Sequence, residues 1–356
     1  MPGYRHMREI VRLLCLLCVM LFAPLAWAAE GGGAKEQAQR QQTQPLNNAP
    51  VWRDVRGGEN PYQTTQVRGI ETSVLVQTEG EIWRQIRNGP VTIYGGLFLV
   101  ALMAVIGLFH WLHGPIKLHG KPTGRKIARF TDWERLVHWA TAISFVILAI
   151  SGVIILFGKY VLLPMFGYTL FSWLAILSKN LHNFVGPLFI FCAIVMFVAY
   201  VKDNLWKSYD FKWFKNAGGM LGGEHLPSGK FNAGEKAWFW IGLFLLSIAV
   251  GVTGLVLDFP NFAQGRSTMQ LMTVIHAVAA VIYIGIALGH IYMGSIGVEG
   301  AYDSMRIRDG EGKVDETWAR EHHERWYNEV ASGGRAAGGG VPSAAKASTI
   351  KEGWKL

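Results

Sequence analysis

Four histidines lie inside long apolar segments of this sequence, where an ionisable side chain is costly and usually serves a function. They are His138, His182, His276 and His290. A neutral imidazole binds transition metals through a ring nitrogen, so histidines from neighbouring helices could together hold a metal centre. The alternative is that each is a neutral histidine that forms a hydrogen bond to another helix.

The segments that carry these histidines are long enough to cross a membrane. The chain of 356 residues is 51% hydrophobic and 17% charged, with a mean hydropathy of +0.22, whereas a soluble domain usually holds about a quarter charged residues. This composition argues against a soluble globular enzyme. Apolar runs of about 20 residues match the length of a membrane-spanning helix. They predict five transmembrane helices, at residues 91–112, 136–157, 181–201, 237–257 and 271–296. The shorter apolar run at 160–177, which contains a proline and a glycine, predicts an interfacial or re-entrant segment.

Basic residues indicate the side of the membrane that each connection faces. The loop at 113–135 and the connection at 202–236 are rich in lysine and arginine, whereas the connections on the opposite side hold few, such as Lys159 and Arg266. By the positive-inside rule, the two basic connections and the tail at 297–356 are cytoplasmic. The same rule accounts for the net charge of +9, so we expect no nucleic-acid partner.

The N-terminal region predicts export. Residues 1–28 combine arginines, an apolar run and a small-x-small site at 26–28, which is the pattern of a signal peptide. An uncleaved anchor helix is the alternative. After this segment, residues 29–90 are predicted to be an exported periplasmic segment. Residues 91–112 are predicted to be an additional transmembrane helix ahead of a core at 136–296. The three cysteines predict neither a disulfide framework nor a zinc site.

The depths of the four histidines in their helices divide them into two pairs. His138 and His290 lie near cytoplasmic helix ends, and His182 and His276 near outer helix ends. His276 and His290 are 14 residues apart, so they share nearly the same helix face at a separation of roughly 21 Å. Two imidazoles from facing helices can hold a six-coordinate haem iron, which favours electron transfer. Zinc would need four ligands, and no cysteine, aspartate or glutamate lies at a matching depth.

Short segments around these histidines resemble a known family, the γ subunit of respiratory formate dehydrogenase, which is a membrane dihaem cytochrome b. The segments are residues 134–139 (ERLVHW), 181–186 (LHNFVG), 275–277 (IHA) and 289–293 (GHIYM). The resemblance extends to residues 230–236 (KFNAGEK) and to residues 322–327 (HHERWY). It covers roughly residues 127–330 and does not explain the chain before them.

The resemblance implies an all-α integral membrane protein with a four-helix transmembrane haem-binding bundle, here preceded by one additional N-terminal transmembrane helix. It implies two b haems, with the outer haem held by His182 and His276 and the inner haem by His138 and His290. Such a subunit lies in the bacterial inner membrane. It accepts electrons from an iron–sulfur β subunit, which a molybdenum or tungsten α subunit supplies by oxidising formate, and it does not itself oxidise formate.

The resemblance also implies a quinone site beside the inner haem, at Asn232 and Gly234. Some relatives have glutamine after this glycine, where the present chain has Glu235. The alternative interpretation of the segment is an ordinary loop in which Asn232 caps the next helix. Quinone would be the electron acceptor, and lipid surrounds the bundle.

Two rival functions remain open at the level of sequence. The first is the cytochrome b subunit of a nickel–iron hydrogenase or a related oxidoreductase, which would hold the same haems. The second is a haem-free membrane anchor or transporter whose histidines bridge helices. At the inner end of the additional span, His110, His113 and His119 are expected in interfacial or loop positions, and in the tail His322 and His323 are expected on a surface that faces a partner.

Overall fold

The computed structural model describes residues 78–216, 226–262, 264–307 and 312–337. The predicted signal peptide at 1–28, most of the predicted exported segment at 29–90 and the chain after residue 337 lie outside these described residues. The helices are α1 (Thr78–Ile86), α2 (Thr92–His113), α3 (Asp132–Tyr200), α4 (Ser208–Lys215), α5 (Ala233–Trp238), α6 (Ser247–Asp258), α7 (Arg266–Tyr292), α8 (Glu316–His322) and α9 (Glu324–Ala337). Short π-helical segments at Arg87–Val91, Phe239–Leu246 and Met293–Gly297 join or extend them, and a 3₁₀ turn spans Ala301–Met305.

Four stretches of helix are long and apolar enough to cross a membrane, namely Gly80–His113, Asp132–Tyr200, Ala233–Asp258 and Arg266–Gly297. Their outward surfaces carry large apolar side chains, for example Phe184 and Val198, which are 82% and 68% exposed. Exposed apolar surface of this extent suits contact with lipid rather than water. Several such helices in one chain are those of a multi-pass membrane protein.

Helix α3 is a hairpin of two antiparallel arms, residues 132–166 and residues 168–200. It begins in a capping box, in which the Thr131 hydroxyl accepts from the Glu134 backbone N–H. Gly167 has φ of 73° and ψ of 175°, a conformation that glycine adopts at little cost, and the chain turns back there.

Contacts between the two arms of α3 are symmetrical about Gly167. The Tyr200 hydroxyl donates to the Glu134 carbonyl at 2.8 Å, and the rings of Phe145 and Phe189 are 6.0 Å apart. The segment at 160–177, predicted as interfacial or re-entrant, is helical on both sides of Gly167 and completes the ends of the two arms. The arms are therefore longer than the helices predicted at 136–157 and 181–201.

Helix α7 packs against α6, α2 and α3 and occupies the centre of the helix assembly. Midway along it, the buried Tyr283 contacts Phe145, Phe189 and Trp238, with ring centroids 4.7 to 6.4 Å apart. The Tyr283 hydroxyl lies 2.9 Å from the Ser247 hydroxyl, so its polar end has a partner. This aromatic cluster fills the core between the two ends of α7.

A small folded unit covers one end of the helices. Strand β1 (Lys126–Ala128) pairs antiparallel with strand β2 (Lys313–Asp315), a small departure from the all-α expectation. Val314 of β2 and Trp318 and Ala319 of α8 form the buried core of this unit. The described part of the predicted tail thus packs against the loop at 113–135.

The expected partner-facing position of His323 is wrong. Its side chain is 1% exposed, and its Nδ1 lies 2.8 Å from the Gly229 carbonyl oxygen. Burial, together with the charge of Arg129, lowers the pKa of His323 to about 3, so this imidazole is neutral. His322 stacks on Trp318 with ring centroids 4.8 Å apart. Both histidines serve the packing of the small folded unit.

Candidate functional site

The four membrane histidines lie as two close pairs at opposite ends of α7. The ring centroids of His182 and His276 are 6.0 Å apart, and those of His138 and His290 are 6.3 Å apart. In each pair one imidazole comes from α3 and the other from α7. The structure therefore brings together the same partners that helix depth predicts.

Hydroxyl groups hold both imidazoles of the His182–His276 pair. Nδ1 of His182 lies 2.9 Å from the Ser151 hydroxyl, and Nδ1 of His276 lies 3.0 Å from the Thr253 hydroxyl. Ser151 is in the first arm of α3 and Thr253 is in α6. His182 is thus oriented by the opposite arm of α3, and His276 by α6.

The hydrogen bonds of these hydroxyls favour one position of the proton on each imidazole. The Ser151 hydroxyl donates its one proton to the Ile147 carbonyl at 2.8 Å, so it accepts from Nδ1–H of His182. The Thr253 hydroxyl likewise donates to the Ala249 carbonyl at 2.6 Å. Both imidazoles then keep Nε2 as an unprotonated nitrogen, which is the state that binds a metal.

A glycine follows each of these hydroxyl residues and makes room for the imidazole that the hydroxyl contacts. A Cβ added at Gly152 would lie 3.3 Å from Cε1 of His182, and one added at Gly254 would lie 3.2 Å from Cε1 of His276. These separations are tighter than ordinary packing, so a larger residue would press on the ring. The two Ser/Thr-Gly pairs set the position of the two rings in matching ways.

A cavity of about 370 Å³ opens beside the His182–His276 pair. Its walls come from both arms of α3, from α6 and from α7, and they are mostly apolar, with glycines at Gly152, Gly186, Gly251 and Gly254. Large, mainly apolar cavities with a few polar groups are typical binding sites for cofactors. The small residues leave space for a flat ring between the helices.

The His138–His290 pair has different surroundings. Nδ1 of His138 is buried and has no hydrogen-bond partner among the described residues, although buried ring nitrogens normally have one. The indole of Trp238 stacks on His290, with ring centroids 4.8 Å apart and an interplanar angle of 15°. An unpartnered buried nitrogen fits a site that a metal or cofactor completes.

Both pairs suit a cofactor that takes two imidazoles. Bonds from imidazole to a metal are about 2 Å long, so two rings on opposite sides of one ion have centroids roughly 6 Å apart. Among the described residues, no group of three or more histidine, cysteine, aspartate or glutamate side chains could hold a metal ion. The donor set fits haem iron, whose macrocycle supplies the other four ligands, better than zinc.

The predicted quinone residues lie at the start of α5, the helix that ends in Trp238. Asn232 is the N-cap of α5, and its side-chain oxygen accepts from the Glu235 backbone N–H at 2.9 Å. The Glu235 carboxylate in turn accepts from the Asn232 backbone N–H, which completes a capping box. A Cβ at Gly234 would lie 3.0 Å from the Trp213 ring. Since Trp238 stacks on His290, this segment lies beside the His138–His290 pair.

Glu235 also links the capping box to the small folded unit. Arg129 donates to Glu235 at 2.9 Å, and Nε2 of His323 lies 4.0 Å from the same carboxylate. Sequence reasoning left Glu235 without a role. The Asn-x-x-Glu spacing was the signal that could have identified the cap.

The histidines near the end of α2 do not pair with one another. Nδ1 of His110 lies 3.3 Å from the Tyr292 hydroxyl, His113 stacks on Phe109, and His119 contacts Glu321. These contacts agree with interfacial or loop positions.

The chain matches known proteins over most of the helical region. Residues 129–305 match the family model described as prokaryotic cytochrome b561. The formate dehydrogenase cytochrome b556(fdo) subunit of Escherichia coli strain K12 is 34% identical over 213 residues, which cover 57% of this chain and 93% of that protein. The nitrate-inducible formate dehydrogenase cytochrome b556(Fdn) subunit of the same strain is 33% identical over 217 residues, 58% of this chain and 92% of that protein. The formate dehydrogenase cytochrome b556 subunit of Haemophilus influenzae is 29% identical over 215 residues, 57% of this chain and 83% of that protein.

Proposed function

Since this chain belongs to the family of cytochrome b subunits of formate dehydrogenases, we propose that it carries electrons from an iron–sulfur partner subunit to membrane quinone. The iron–sulfur β subunit would in turn receive them from a molybdenum or tungsten α subunit that oxidises formate. The present chain binds and positions cofactors and leaves formate oxidation to its partner.

The observation that supports this proposal is the presence of two histidine pairs at the ring separations that one iron requires. His182 and His276 would hold one b haem, and His138 and His290 the second. A bound haem supplies one-electron transfer, and two histidine ligands leave the iron no open position for oxygen chemistry. Ser151, Thr253 and the adjacent glycines keep the ligand rings in position.

The orientation follows from charge. The basic loop at 113–135 and the connection before α5 would face the cytoplasm. The His138–His290 pair is then the inner one and the His182–His276 pair the outer one. In the inner membrane, the two arms of α3, the helix that includes α5 and α6, and α7 would make a four-helix core at 136–296. Helix α2 would make one additional crossing at 91–112.

The remaining parts of the chain would lie on opposite sides of the membrane. Residues 1–28 would be a signal peptide and residues 29–90 a periplasmic segment. The tail at 297–356 would be cytoplasmic. Protease applied to spheroplasts and to lysed cells tests this orientation, since cleavage of the tail should require lysis whereas residues 29–90 should be cleaved in spheroplasts.

Reduction of the purified complex by formate is the direct test of the proposed function. We expect two sets of reduced b-type absorption bands after formate is added, and none after hydrogen. Reduction by hydrogen instead would favour a hydrogenase subunit, and a spectrum without haem would favour an anchor or transporter.

Loss of the Ser151 hydroxyl is expected to weaken haem binding at the His182–His276 pair. Ser151→Ala removes the acceptor of Nδ1–H, and loss of such a supporting bond typically lowers metal affinity by about 10-fold or more. Haem content per protein and the spectrum of each haem are the measurements. Ser144→Ala is the matched control, because Ser144 makes similar hydroxyl-to-carbonyl bonds on the same arm. Equal haem loss in both variants would contradict the role of Ser151.

The amide of Asn232 is expected to contribute to quinone binding in addition to capping α5. Asn232→Ala removes both roles, and the lost cap alone costs about 1 kcal/mol. Asn232→Ser keeps an oxygen that can cap the helix but removes the NH₂ donor. We therefore expect Asn232→Ser to lower quinone reduction while formate still reduces both haems. Normal quinone turnover in Asn232→Ser, with a deficit only in Asn232→Ala, would leave Asn232 with capping alone.

A further inference from the structure

Arg87 comes from the chain before α2, yet it lines the cavity beside His182 and His276. It begins the π-helical segment Arg87–Val91, which joins α1 to α2. The region that matches the cytochrome b561 family begins at residue 129. A part of the chain that precedes the family match therefore contributes to the wall of the proposed outer haem site.

Close packing fixes the position of α2 against the elements that form this cavity. A Cβ at Gly95 would lie 3.4 Å from Val281, and one at Gly96 would lie 3.3 Å from Phe157. Leu99 is buried in a cluster with the same two side chains. Arg87 lies directly before α2, and α2 is held against α7 and the first arm of α3. The packing of these helices therefore fixes Arg87 at the cavity wall.

The charges that line the cavity are few and mainly positive. Arg87 and Lys179 are basic, Asp258 is acidic, and most of the remaining wall is apolar. Arg87 donates to the neighbouring Asn88 side chain at 3.0 Å. Among the described residues, neither Arg87 nor Lys179 forms an ion pair with a carboxylate, and the Arg87 guanidinium has the Asn88 amide oxygen as its side-chain partner. The wall thus offers two cations to a ligand that is apolar over most of its surface and carries carboxylates at its edge.

We propose that the additional N-terminal helix completes the outer haem site and that Arg87, together with Lys179, binds the haem propionates. This proposal rests on the proposed function, because it requires a haem at His182 and His276. Cations next to a haem favour the reduced state, which carries one more electron. The helix would therefore help to set the potential at which the outer haem accepts electrons.

Substitutions in the full chain, assembled in its complex, test the proposal. Arg87→Gln, Lys179→Gln and the double variant remove the positive charge, and Arg87→Lys retains it. Arg84→Gln is the matched control, because Arg84 lies one turn away and pairs with Glu81 instead of lining the cavity. The readouts are haem content and the midpoint potential of each haem in a redox titration, with the single haem of His276→Ala used to assign the inner one.

We expect the outer haem to have a lower midpoint potential in Arg87→Gln and Lys179→Gln, and the lowest in the double variant. The inner haem, Arg84→Gln and Arg87→Lys should keep the wild-type potentials. Loss of the outer haem alone in the double variant would also support the proposal. If Arg87→Gln lost both haems, the Arg87→Lys variant would decide the role of the charge. Wild-type midpoint potentials in Arg87→Lys would support that role, and a shifted potential or a lost haem in Arg87→Lys would oppose it.

Unchanged haem content and potentials in the double variant would overturn the inference, as would an equal shift of both haems. Such a result would leave the proposed function intact, because the wild-type complex would still contain two haems that formate reduces. A wild-type complex without haem would instead overturn the proposed function before any variant is compared.

Discussion

Replacing His276 with alanine is expected to remove one of two b haems and to leave the other in place. The variant retains His182 as a single imidazole, and a six-coordinate haem iron requires two. The other pair lies roughly 21 Å away along α7 and shares no ligand with it. Haem content should fall from two to one per chain, which a haem assay on the purified complex measures.

The reciprocal substitutions sharpen this expectation. His182→Ala should remove the same haem as His276→Ala, whereas His138→Ala and His290→Ala should each remove the second one. A potentiometric titration distinguishes them, because each class of variant should retain a different midpoint. His322→Ala, outside both pairs, is the control and should retain both haems. Equal loss of both haems in every ligand variant, with the protein still folded, would contradict the assignment of two independent pairs.

Much of the helix arrangement and both histidine pairings could be predicted from the sequence. Apolar length identifies the helices, and the depth of a histidine in a helix restricts which other histidine it can meet. The resemblance to formate dehydrogenase cytochrome b subunits is confirmed by relatives of 33% and 34% identity. The roles of the four histidines as haem ligands stay a prediction.

Contacts between distant parts of the chain were not predictable in the same way. Helix α3 continues through 160–177 because only Gly167 leaves the helical conformation, and hydropathy does not report backbone angles. Burial of His323 depends on the Gly229 carbonyl, 94 residues away. The hydroxyls of Ser151 and Thr253, and Arg87 at the cavity wall, likewise gain their significance only when helices pack.

The two hydroxyl residues that sequence reasoning missed, Ser151 and Thr253, are of types common in membrane helices. Serine, threonine and glycine are common in membrane helices, where hydroxyls usually bond to their own backbone and glycines allow close packing. Ser151 and Thr253 therefore carry no distinctive signal until His182 and His276 are known to face them. Their placement matters because rotation of one imidazole would move its Nε2 away from the shared position between the rings.

Replacing Asp210 with alanine is expected to cause the largest loss of stability of the substitutions considered. Lys236 donates to Asp210 at 2.7 Å, and both side chains are almost completely buried, at 2% and 1% exposure. Removing one partner leaves a buried charge without compensation, which costs about 3–5 kcal/mol. Asp210 also accepts from the Lys207 backbone N–H at the start of α4, and this bond is lost too. The free energy of unfolding in detergent, followed by circular dichroism, measures the effect.

Two further variants separate the buried charge from other effects of the substitution. Asp210→Ala combined with Lys236→Met removes both charges and should recover most of the lost stability, since an apolar replacement of a buried ion pair is often nearly neutral. Glu81→Ala breaks the ion pair of Arg84 and Glu81, whose side chains are 51% and 28% exposed, and should cost at most about 1 kcal/mol. A double variant as unstable as Asp210→Ala would show that the Lys207 bond or local packing, rather than the unpaired ammonium, dominates. Because the Lys236 backbone N–H bonds to the Asn232 carbonyl, Asp210→Ala should also lower quinone reduction, and the double variant should restore it together with the stability.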